Sequence, residues 1–322
     1  MNLGSATGFE RAVVHLARLL RGRAAESEHA AVKAAIAVLD VDWRETSAEQ
    51  RRTLITRALT AAGRKTNDVP NEIRAIFGDA ATQVVQATRN SARRDQRLSI
   101  GANFNALDQR IITHLKSSES NYVRDEYGRR QEAFSVRARD IVASGLEAGL
   151  GNDDIAGDLS DAAEGIISGK SSFYWDVVAS SFVGRGRSYA QLSAYAEAGI
   201  TRYRIVAVLD EATTPTCRFL DGKTFSVSNG LDLFDQVEAE PDSLPELTPW
   251  VRETTNPTTG RRSLTVQRQG EPFAIADIVR SGVGSRDDRG EFAQGLDENE
   301  LGDLNIGYPP YHALCRSSSV AA

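Results

Sequence analysis

Cys217, His312 and Cys315 are the residues of this 322-residue chain whose types and spacing best suit chemistry. His312 and Cys315 form an H-x2-C pair directly after a YPPY turn, and Cys217 lies far upstream, just beyond an expected strand. Thiolates and imidazole are good zinc ligands, and a structural site needs four donors in a tetrahedron, so Asp221, Asp210 or a water must supply the fourth. The candidate metal set is therefore Cys217, His312, Cys315 and Asp221, and a structural zinc is the one cofactor it could hold. The plainer account of the same residues is a clip or hydrogen-bonded packing, with a covalent disulfide disfavoured in a reducing cytosol. A third reading is a Cys-His nucleophilic pair whose imidazole is oriented by Asp210. No nucleophile signature at a helix N-terminus accompanies it, and Asp210 and Asp221 serve equally well as turn-ordering residues.

Arg185, Arg187, Arg202, Arg204 and Arg218 form a second cluster. They could meet DNA phosphates or an acidic neighbouring subunit, or form a solvated face with internal ion pairs. His15, His29 and His114 fall in helical segments without metal-binding spacing. No P-loop, H-E-x-x-H, dinucleotide-binding glycine motif or G-x-S-x-G elbow occurs in a convincing setting, and GRGRS at 184–188 lies inside an expected helix.

The elements that must position these residues divide by proline. Pro70 stands alone in the first 200 residues, and the other eight prolines lie between Pro215 and Pro310. Proline breaks helices and central strands alike, so the architecture changes near residue 200. Before it the period is helical. Thr7 and Glu10 form a capping-box pattern ahead of a helix reaching Leu39, Thr46 and Glu49 repeat it, and Pro70 opens a third helix. Apolar residues from Phe104 to Leu146 then recur at helical spacing, with Gly128 as a candidate break. So long a helix needs partner helices or a second copy, which makes an elongated shape or a homo-oligomer the expectation. Asn152 or Asp153 can cap a short helix, Gly169 precedes a further start near Ser171, and the last long helix runs to Glu197 with Gly199 as its C-cap. TRYRIVAVLDE then alternates as a strand, and Lys223 to Val227 suggests a second after the Asp221-Gly222 turn. Much of 228–302 reads as loop, with Ser263 to Gln267 and Phe273 to Val279 as short elements. The expected fold is α+β: an elongated helical domain over 1–199 and a small mixed α/β module over 200–322 carrying a long insertion at about 229–301.

The combination resembles the head morphogenesis, or minor capsid, proteins of tailed bacteriophages in the Mu F-like family. The resemblance rests on FVGRGRSYAQLSAYAEAGI leading into VLDEATTPTCRFLDGKTF, and on PPYHALCRS from Pro309 to Ser317. The matching positions are Asp210, Thr213, Cys217, Leu220, Asp221 and Gly222, then Pro310, His312, Cys315 and Arg316, within roughly the last 150 residues. The resemblance implies a low-copy, non-enzymatic protein of the procapsid, associated with the portal protein and with major capsid or scaffolding protein, acting in head assembly or DNA delivery. It implies residence in the bacterial host cytoplasm during assembly and then in the virion head. A cysteine- or metal-dependent enzyme and a DNA-binding accessory protein of the particle are the alternatives. The net charge of −6 gives no support to a protein that coats DNA. Neither a secretory signal nor a membrane-spanning run is expected from the sequence.

Overall fold

The computed structural model describes residues 2–168, 172–268 and 270–322. The fold is α+β, with long helices before residue 200 and antiparallel strands after it. Six helices come first: α1 (Ala6–Leu39), α2 (Ala48–Thr66), α3 (Val69–Arg94), α4 (Ala106–Glu147), α5 (Asn152–Ala163) and α6 (Ser172–Glu197). Gly169 and Ser171, expected to precede the last of these, lie outside the described residues. Among the described residues no helix is long and apolar enough to cross a membrane.

Several helix starts differ from the expectation by a residue or two. Ser5, rather than Thr7, caps α1, its hydroxyl accepting from the Gly8 N–H at 3.1 Å. Ser47 and Gln50, rather than Thr46 and Glu49, make the capping box of α2. Gly151 stands at the N-cap of α5 and Asp154 answers it. The cap chemistry recurs at neighbouring positions because serine, threonine and aspartate all offer the same acceptor. Gly128 does not break α4, which is continuous over 42 residues. One interior glycine costs only about 1 kcal/mol against alanine.

By packing, the chain forms two units: Leu16–Phe77 with Glu119–Trp175, and Met1–His15 with Gly78–Ser118 and Asp176–Ala322. Helices α1, α3, α4 and α6 each contribute residues to both. Proline placement marks where the chain changes element type, whereas packing groups the strand-bearing residues with the earlier helical segments they bury. The smaller unit has a core of Val32, Leu39, Trp43, Ile55, Phe134, Ile141, Ile155 and Leu159. Its buried Arg130 donates to Glu28 at 2.6 Å and to Glu126 at 3.2 Å, and Tyr127 Oη donates to the same Glu28 oxygen at 2.8 Å.

In the larger unit β1 (Arg202–Val206) is followed by α7 (Pro215–Leu220), β2 (Thr224–Ser226) and α8 (Val227–Ala239). A four-residue helix, α9 (Leu244–Leu247), precedes four antiparallel strands in sequential order: β3 (Arg252–Thr255), β4 (Arg262–Arg268), β5 (Glu271–Arg280) and β6 (Glu291–Ala293). Then come α10 (Glu298–Asp303) and β7 (Ser318–Ala321), and β7 pairs antiparallel with β1, so that the first sheet has the order β2-β1-β7. The insertion is thus folded, against the expectation that much of 228–302 is loop. Burial explains the misreading: β3 is exposed along its whole length except for partly covered Thr254, so it shows no apolar alternation.

The first sheet lies on α6. Tyr203 and Ile205 of β1 are buried while Arg202, Arg204 and Val206 face outward. Tyr195 of α6 stacks on Tyr203 with centroids 6.0 Å apart, and Gln191 Nε2 donates to the Ser319 carbonyl of β7 at 2.9 Å. Gly186 of GRGRS serves packing: a Cβ there would lie 2.9 Å from Val84 of α3 and 3.1 Å from Leu115 of α4. That close approach of helices accounts for the glycine at 186.

Candidate functional site

Helix α7 builds one side of the site. Thr214 is its N-cap, its hydroxyl accepting from the Cys217 N–H, and Pro215 occupies the first turn, where the missing N–H costs nothing. The cap places the Cys217 thiol on the inner face of the helix. The other side is the H-x2-C turn, closed by a hydrogen bond from the Cys315 N–H to the His312 carbonyl at 3.3 Å. Across the gap, His312 Nε2 lies 3.1 Å from Cys217 Sγ and 3.1 Å from Thr214 Oγ1, and the two sulfurs are 3.7 Å apart. Both cysteines are buried and His312 is half-buried.

Three of the four residues expected to bind metal are therefore brought together. Their ligand atoms all lie within 4.8 Å of one another. Asp221 is the correction, because its carboxylate accepts from the Ala207 N–H at 3.0 Å and pairs with Arg289 at 2.9 Å, outside the cluster. Asp210 does not join it either. Its two oxygens take a bidentate pair from Arg316 at 2.6 and 2.7 Å, and Arg316 reaches Glu10 at 3.1 Å. Asp210 is thus engaged elsewhere and does not orient the His312 ring, as the nucleophilic reading required of it.

The electrostatics separate the two thiols. The hydrogen bond with Cys315, together with burial, pushes the Cys217 thiol up. Burial also opposes ionisation of Cys315, but the bond from Cys217, the His312 charge and the N–H groups of Tyr311 and Ser317 outweigh it and draw that thiol down.

The arginine cluster resolves into different roles. Arg187 and Arg218 are buried, and each donates to backbone carbonyls. Arg187 reaches Leu3, Arg316 and Ser317 and sits 4.2 Å from the Phe9 ring centroid. Burial lowers its pKa to about 10. Arg218 gathers the carbonyls of Thr213, Asp210, Ser285 and Asp288, so it ties α7 to both the loop after β1 and the 281–290 turn of the insertion. Only Arg202 and Arg204 of the five are exposed, Arg185 being half-buried. Two of the five, Arg187 and Arg218, are thus interior scaffolding rather than part of a basic face. Nothing in the residue types distinguishes a buried guanidinium from a surface one, so the sequence could not reveal this.

No family model, curated protein or solved structure matches the chain.

The Asp210–Arg316 pair carries a pH prediction. Arg316's hydrogen bonds hold the Asp210 carboxyl well below its ordinary value of 3.8. A carboxyl whose pKa is depressed by folding contributes its stability above the unfolded value and loses it as pH falls through the folded value. The pair is partly exposed, so the contribution is on the order of 1 kcal/mol. Asp210→Asn is expected to melt below wild type at pH 7, with the difference closing as pH falls below about 4. Thermal melts across that range check it, and a difference independent of pH would contradict it.

Proposed function

We propose that the chain is a minor capsid, or head morphogenesis, protein of a tailed phage or phage-derived particle, similar to the Mu F-like proteins and acting beside the portal in procapsid assembly or DNA delivery. The observation that carries the reading is the meeting of the two motif blocks on which the resemblance rests. Asp210 pairs with Arg316, and Cys217 meets His312 and Cys315, although the four-stranded insertion separates the blocks in the chain. Motif positions that converge in space constrain one another, and this favours a single module over two accidental matches. A structural role also agrees with burial of both thiols, which leaves a nucleophile there little access to substrate.

The partners are then the portal protein and major capsid or scaffolding protein, with residence in the host cytoplasm during assembly and in the virion head afterwards. Quantitative mass spectrometry of purified procapsids and mature particles should find a few copies per particle. Complete absence from both would remove the proposal.

A further inference from the structure

We infer that Cys217, His312 and Cys315 form a three-donor site for a thiophilic divalent cation of the zinc class, fastening the H-x2-C turn to α7. This goes beyond the proposed function and is tested on the isolated protein, so either can fail without the other.

The separations fit a metal better than a covalent bond. Two sulfurs each about 2.3 Å from one tetrahedral ion stand about 3.8 Å apart, and Cys217 and Cys315 stand at 3.7 Å. A disulfide requires about 2.05 Å. The imidazole presents Nε2 to the same space, 3.1 Å from Cys217 Sγ. All three donor atoms lie within 4.8 Å of one another, the one such group of three among the described residues.

The surroundings suit the charge. Two thiolates and a divalent cation sum to zero, which greatly reduces the cost of burying them. On ligation each thiol gives its proton to solvent. Two sulfurs and one imidazole select zinc-like ions over magnesium or calcium, which prefer oxygen. Asp210 and Asp221 are held by Arg316 and Arg289, so the fourth position falls to water or a small anion rather than to either carboxylate.

Cobalt(II) is the probe. The reduced 322-residue chain should take one equivalent and develop a thiolate-to-cobalt charge-transfer band with tetrahedral d–d absorption, and zinc should displace it. Cys217→Ser and Cys315→Ser should each weaken binding at least tenfold and remove intensity from that band, while Asp221→Asn binds as wild type does. Circular dichroism of each variant separates loss of a ligand from loss of fold. Three results would overturn the inference: no thiolate band in the reduced wild-type chain, undiminished cobalt binding by the folded double cysteine variant, or no free thiols in protein purified anaerobically, which would make the pair a disulfide.

Discussion

Arg218→Ala lowers the stability of the larger unit by about 2–4 kcal/mol, from a stranded buried acceptor together with the packing lost with the side-chain stem. The guanidinium is 2% exposed, and its nitrogens donate to four carbonyls drawn from the loop after β1 and from the insertion. Truncation strands the buried Thr213 carbonyl, at a cost of about 1–3 kcal/mol, and takes a donor from the part-buried carbonyls of Asp210, Ser285 and Asp288. Arg218→Lys should recover little, because an ammonium cannot reproduce the planar fork that reaches separate loops. Urea unfolding measures both variants. A loss below about 1 kcal/mol for the alanine variant would mean that water replaces the guanidinium and that the insertion is not held by it.

Arg89→Met should cost a similar amount by a different route. Arg89 and Asp108 are 1% and 0% exposed and 2.8 Å apart, and Arg89 also reaches Glu197 at 2.8 Å and the Gly101 carbonyl at 2.9 Å. Asp108 is at the same time the third residue of α4, where it forms a reciprocal cap with Asn105 and accepts from Ser193 at 2.8 Å. Methionine fills the space of the arginine stem but leaves a buried carboxylate without its counter-charge, at a cost of about 3–5 kcal/mol. The double variant Arg89→Met with Asp108→Leu should regain much of that loss, because it removes both charges, although it forfeits the cap. A double-mutant cycle by chemical unfolding gives the coupling. Strict additivity of the two single losses would show that the ion pair is not the source.

Much of this architecture was legible in the sequence where burial leaves a periodic trace. The stripe from Phe104 to Leu146 became α4, and the alternation around Tyr203 and Ile205 became β1. Reading failed where burial leaves none. Helix α7 is six residues long, too short to display a period, and Pro215 marks its first turn where a turn alone was expected. β7 is rich in serine, and its pairing with β1 depends on a partner distant in sequence. At the candidate site the ligand types and the H-x2-C spacing identified Cys217, His312 and Cys315. Which carboxylate stood nearby depended on where Arg316 and Arg289 came to lie, and no local pattern encodes that.

The pairing of β1 with β7 also bears on synthesis. Strand β1 leaves the ribosome long before Val320 and Ser318, the residues that face its Arg204 and Val206. Until they arrive, one edge of β1 offers unpaired amides and carbonyls to any neighbouring chain, a recognised route to aggregation. Nascent chains halted before residue 318 should therefore depend on chaperones and be degraded readily, whereas emergence of Ser318–Ala321 closes this edge of the sheet and seats the H-x2-C turn.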